Sequence, residues 1–110
     1  MKSILLVGDS YAAGRIPHTD KDGALEEALK KLFPVTEIVN YAVSGSLAKD
    51  WNTGSLRVKL AEIIGMKDCV TVLSLGGNDM FSAISDGVVT LKEIKDFLRD
   101  TMCVATSIAQ

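Results

Sequence analysis

Ile4-Leu5-Leu6-Val7 runs directly into Gly8-Asp9-Ser10-Tyr11-Ala12-Ala13-Gly14. The first four residues are apolar without alternation, the pattern of a strand covered on both faces, as in the centre of a parallel sheet. The next seven make a turn bounded by glycines, with a hydroxyl at the strand's carboxyl end. In open α/β sheets that end is where ligands bind. A serine there, on a turn whose backbone N–H groups point outward, can act as a nucleophile with an anion-stabilising donor beside it. Gly-Asp-Ser is also ordinary turn chemistry. Its weight comes from two further blocks: Asn40-Tyr41-Ala42-Val43-Ser44-Gly45 closes a second apolar strand, and Gly76-Gly77-Asn78-Asp79 closes a third.

Between these blocks the period changes to that of helices. Residues 3–7, 36–42 and 69–75 are expected to be strands. Over 24–33, Leu25, Ala28, Leu29 and Leu32 recur at helical spacing, with Glu26, Glu27, Lys30 and Lys31 on the other side. Asp22 is the expected N-cap and Pro34 the stop. A second helix is expected over 54–65, with Leu56, Leu60, Ile63 and Ile64 toward the sheet and Gly65 as C-cap. A third starts at Thr90. Thr90 and Glu93 form a capping box, Val89 staples onto Ile94, and Leu91, Ile94, Leu98, Met102, Ala105 and Ile108 make its apolar face. Strand–helix alternation with short loops implies right-handed crossovers and a parallel sheet. The loop over Arg15–Gly23 and the loop over 80–89 are expected on the same rim, lining a cleft.

The three blocks together resemble the SGNH (GDSL-type) hydrolases, a family of serine esterases and acylhydrolases. The resemblance covers roughly residues 3–80, with the blocks in family order. It implies a three-layer, flavodoxin-like α/β fold with a parallel sheet. It also implies three roles: Ser10 as nucleophile, and Gly45 through its N–H and Asn78 through its side-chain amide as oxyanion donors. The family's Asp-x-x-His block, near its C-terminus, has no counterpart here, and His18 is the one histidine of the chain. The 110 residues are therefore expected to form a single domain corresponding to the N-terminal part of the family domain, a fold incomplete at its C-terminus.

Composition narrows the function classes. The chain is 47% hydrophobic and 24% charged, with a net charge of −2, which reads as globular. It has no Lys/Arg run, so nucleic acid is not an expected partner. The apolar stretch near the N-terminus is shorter than the ~7–15 residues of a secretory core. Nothing approaches the ~18 needed to span a bilayer, so a cytoplasmic protein with no membrane span is expected. Cys69 and Cys103 are expected as reduced thiols packed as small hydrophobes. No cluster has metal-ligand spacing, and no cofactor is expected.

Other residues have two readings each. Asp9 and Asp79 read as carboxylates that cap backbone N–H groups and hold their turns, rather than as bases. His18 lies eight positions after Ser10, within reach of a general base, but nothing nearby fixes its tautomer, and it reads as a solvent-facing loop residue. Tyr11 and Trp51 either flank the cleft or pack in the structure.

The leading expectation is a serine ester hydrolase acting on a small-molecule or carbohydrate ester. The alternative is a catalytically silent remnant that binds a carbohydrate or acyl group or serves in assembly. A third is an unrelated flavodoxin-like domain whose Gly-Asp-Ser loop cradles an anion. Outer parallel strands leave unpaired backbone groups, so another chain or a further C-terminal segment is expected to complete the sheet.

Overall fold

The computed structural model describes residues 3–16, 18–19, 21–79 and 90–109. Its elements are β1 (Ser3–Gly8), α1 (Ser10–Ala13), α2 (Ala24–Leu32), β2 (Glu37–Asn40), α3 (Ala48–Asn52), α4 (Arg57–Ile64), β3 (Cys69–Ser74) and α5 (Leu91–Ala109). The three strands form one sheet in the order β2-β1-β3. Both pairings are parallel, with Ser3 opposite Glu37 and Cys69, and Gly8 opposite Ser74. The chain is thus α/β with a parallel sheet and β1 at its centre, as its unbroken apolar run requires: every residue of β1 is buried.

Side chains on a strand alternate between faces, and β1 divides the core accordingly. Leu5 and Val7 join Trp51, Leu60, Ile63 and Val104 on the face covered by α3, α4 and α5. Ile4 and Leu6 join Ile38 on the other face, where Leu25 and Leu29 of α2 pack. On the solvent side of α2, Lys30 donates to Glu26 Oε2 at 2.8 Å. That hydrogen bond, with the carboxylate's charge, holds the Lys30 ammonium above the usual lysine range.

Several expectations are corrected. The N-cap of α2 is Gly23, at φ +108°, with no side-chain cap. The Gly23 and Ala24 N–H groups instead donate to the Ala13 and Gly14 carbonyls at 2.9 and 3.1 Å, which leaves Asp22 to pair with Arg15 Nε at 2.9 Å. Ala28 and Leu32 of α2 are exposed. The helix expected over 54–65 starts only at Arg57, and a separate helix, α3, precedes it. In α4, Leu60 and Ile63 are buried while Ile64 is exposed. Gly65 does cap it, but with right-handed backbone at φ −76°.

Thr90 begins α5 as expected. Its Oγ1 accepts the Glu93 N–H at 3.1 Å and donates to Glu93 Oε1 at 3.2 Å. The inward face of α5 is rotated from the expected one. Val104 is buried, Ile108 packs on the core, and the Phe97 ring and Thr101 Oγ1 approach Gly76. Leu91, Leu98 and Met102 stand exposed. A hydrogen bond from Asn52 Nδ2 to Asp100 Oδ1, 2.8 Å, joins α5 to α3 beside the packing of Val104 on Trp51. Val89 and the loop at 80–89 lie outside the described residues. Both cysteines are free thiols, Cys69 half-buried and Cys103 exposed. No described helix is long and apolar enough to cross a membrane.

Candidate functional site

Three parallel strands bring their carboxyl ends to one rim, so the loops after β1, β2 and β3 are neighbours. The β1 loop is held by Asp9, almost fully buried. Its N–H donates to the Ser74 carbonyl at 2.8 Å. Its Oδ1 accepts the Tyr11 N–H at 3.2 Å and the Ser74 hydroxyl at 2.9 Å. Asp9 is the N-cap of α1, the structural role read from the sequence, and it also ties the β1 loop to β3. Ser10 follows it directly and is half-buried.

The β2 loop turns at Val43–Ser46, where the Ser46 N–H donates to the Val43 carbonyl at 3.1 Å. Gly45 takes φ +81° there, the left-handed third position that glycine fills without strain. Among the described residues nothing lies within 4 Å of a Cβ placed on it, so its φ is what calls for glycine. The turn is anchored at both ends. Arg15 Nε donates to Ser44 Oγ at 3.3 Å, and Ser44 Oγ donates to Asp22 Oδ1 at 2.8 Å. Ser46, buried, donates from Oγ to the Gly8 carbonyl at 3.0 Å.

The β3 loop passes through Gly76, at φ +102°, into a helical turn at 77–79. Asn78 Nδ2 donates to the Ser46 carbonyl at 3.0 Å. The Asp79 carboxylate accepts the Ala48 N–H at 2.9 Å. Asp79 therefore caps a backbone group, as expected, but on α3 rather than in its own turn.

A cleft of about 220 Å³ opens among Asp9, Ser10, Tyr11, Gly77 and Asn78. Of the three expected site residues, Ser10, Gly45 and Asn78, the structure brings Ser10 and Asn78 to this one cleft, beside Asp9 and Tyr11. Gly45 is exposed on the loop joined to Asn78 through Ser46, but does not line the cleft. Tyr11 is exposed at its edge. Trp51 is fully buried in the core, which removes it from the cleft wall. Its indole N–H donates to Ser46 Oγ at 3.0 Å. His18 is exposed, with φ +63°, and does not line the cleft. No described His, Cys, Asp or Glu residues group as a metal site.

Sequence reasoning missed Ser46, which bonds Gly8, Trp51 and Asn78. Its only signal was position, next to the turn glycine. The chain matches no family model and no curated protein.

Proposed function

We propose that this chain carries the nucleophile and the oxyanion donors of a serine ester hydrolase of the SGNH type. The observation that supports the reading is the shared cleft of Ser10 and Asn78. Ser10 and Asn78, from two strand ends, line one cavity, and the Asn78 amide is already held by Ser46. On this reading Ser10 Oγ bonds to the ester carbonyl carbon, and the carbonyl oxygen gains charge. The Asn78 amide and the Ser10 N–H stabilise that charge, and the alcohol departs; Gly45, which does not line the cleft, is not assigned as a donor. An uncharged amide needs no counter-ion at rest, and a fixed donor is worth roughly 10²–10³-fold in rate.

The serine proton needs a base. His18, exposed and absent from the cleft lining, is not assigned that role, so no described histidine is assigned as the base. The same fact favours the second reading, a silent relative that binds an acyl or carbohydrate group in this cleft.

The test is acetylation by p-nitrophenyl acetate, read by intact mass and peptide mapping. The expected result is a slow single acetyl adduct on Ser10, lost in Ser10→Ala and slowed roughly 10²-fold or more in Asn78→Ala. His18→Ala changes the rate less than about threefold, well under 1 kcal/mol in barrier. No adduct on Ser10 overturns the enzymatic reading in favour of the silent one. Abolition by His18→Ala overturns the exclusion of His18 as the base.

A further inference from the structure

We propose that Trp51 and Ser46 are positioning residues that fix the Asn78 amide against the Ser10 cleft; the functional meaning of this pair rests on the esterase reading, its geometry does not. Trp51 is the largest fully buried side chain of the chain's described core. A buried indole N–H needs an acceptor, and it has one in Ser46 Oγ at 3.0 Å. A hydroxyl has one donor and two acceptor positions. With the indole on an acceptor position, Ser46 Oγ gives its proton to the Gly8 carbonyl at 3.0 Å. That carbonyl also accepts the Val43 N–H at 2.9 Å. Both ends of the turn that contains Gly45 are thus bonded to the residue just before Asp9 and Ser10.

The Ser46 carbonyl faces the third loop and accepts one N–H of Asn78 at 3.0 Å. A side-chain amide has two N–H donors on one plane. Holding the first sets the direction of the second. Asn78 therefore does not choose its rotamer alone; it is set through Ser46, which is set through Trp51. The Trp51 ring is locked by packing against Leu60, Val104 and the sheet, so the chain of bonds begins in the core and ends at the cleft. A donor that is preorganised in this way loses none of its effect to reorientation during reaction, and a misplacement of about 1 Å costs up to about 10²-fold.

Trp51→Phe removes the indole N–H and keeps an aromatic ring; Ser46→Ala removes the hydroxyl, and Ser46→Thr keeps it. The first readout is NMR of the Asn78 side-chain amide, which needs no activity. Two separate signals are expected in every variant, since the amide C–N bond rotates slowly. In the parent chain and in Ser46→Thr the proton bonded to the Ser46 carbonyl is expected to be shifted and protected from exchange with water. In Trp51→Phe and Ser46→Ala it is expected to move toward free-amide shifts, with faster exchange with water. The second readout is acetylation of Ser10. Trp51→Phe is expected to lower the limiting rate roughly 10–100-fold at unchanged half-saturation, and Trp51→Phe with Asn78→Ala to be no slower than Asn78→Ala alone. Unchanged Asn78 signals in Trp51→Phe, with a melting profile that shows it folded, overturn the positioning role whatever the activity. Multiplicative losses in the double variant also overturn it. Altered Asn78 signals with no acetylation of Ser10 in the parent support the positioning geometry and sink the esterase reading instead.

Discussion

Along the carboxyl rim of the sheet, three loops bond one another. Asp9 holds Ser74, Ser46 holds Gly8 and Asn78, and Asp79 holds Ala48. On the flank beyond β1, apolar side chains stand in the open on β3, on the sheet face away from α5, and on the outer side of α5 itself. Val70 is 50% exposed, Leu98 50% and Met102 63%, and no described strand pairs with the outer edge of β3. The rim spends its polar groups on itself and leaves a small cleft beside Ser10. The flank keeps apolar surface of the kind that an inner strand would bury, and its edge strand, Cys69–Ser74, carries neither charge nor proline to guard it. Order at the rim therefore comes from directional bonds between loops, whereas the flank depends on how α5 happens to be docked.

The contrast breaks most severely at Gly8. Its φ is +125°, and a Cβ there would collide with the Ser74 carbonyl, the same oxygen that accepts the Asp9 N–H. Both the strain and the collision act at the join between β1 and β3 from which the rim is built. Gly8→Ala is expected to cost more than about 4 kcal/mol or to prevent folding, measured by urea denaturation followed by circular dichroism. A loss under about 1 kcal/mol would mean that the β1 and β3 ends are not as close as the rim network requires.

The same contrast explains what could be read in advance. The strands were legible because uninterrupted apolar runs have few other solutions, and β1, with four apolar residues and no polar face, had to be central. That Ser10 and Asn78 reach one rim was legible because both follow strand ends. What escaped was set by partners distant in sequence. The helix α3 has no apolar period; it is started by Asp50, whose carboxylate takes the Leu47 N–H at 2.8 Å, and by Asp79 from another loop. Asp22 looked like a cap, but the carbonyls of Ala13 and Gly14 already filled that need. The face of α5 was misjudged because adjacent stripes are both apolar. Ile94 and Ile108 fit either, and the stripe through Val104 is the one that packs on Trp51 and Leu60 and bonds Asp100 to Asn52.

A smaller effect is expected at the start of the flank helix. Thr90 Oγ1 accepts the Glu93 N–H, one of the four N–H groups that a helix start leaves without an internal partner. Thr90→Ala is expected to cost about 1 kcal/mol by urea denaturation, with the Asn78 signals and Ser10 acetylation unchanged. Altered Asn78 signals would show that rim and flank are not independent, since Thr90 touches no rim residue in the bonds described.

The smallest effect is expected on the flank surface itself. Fully burying a leucine or valine side chain is worth roughly 1.5–3 kcal/mol. Leu98 and Val70 each leave half of their surface in solvent, so at most about half of that is at risk. Leu98→Gln keeps the first two side-chain carbons and nearly the same helix propensity. Val70→Thr keeps the β-branched shape that suits a strand. Each substitution thus changes polarity with little change in backbone preference, and each is expected to shift stability by less than about 1 kcal/mol, near the ordinary range of surface substitutions. The measurement is urea denaturation at two protein concentrations tenfold apart. If the flank is bare, both variants stay close to the parent and neither midpoint moves with concentration. If Leu98→Gln costs more than about 2 kcal/mol, or the parent gains stability with concentration while the variants do not, then protein covers this surface in solution. The contrast between a self-satisfied rim and an open flank would then hold only for the isolated chain.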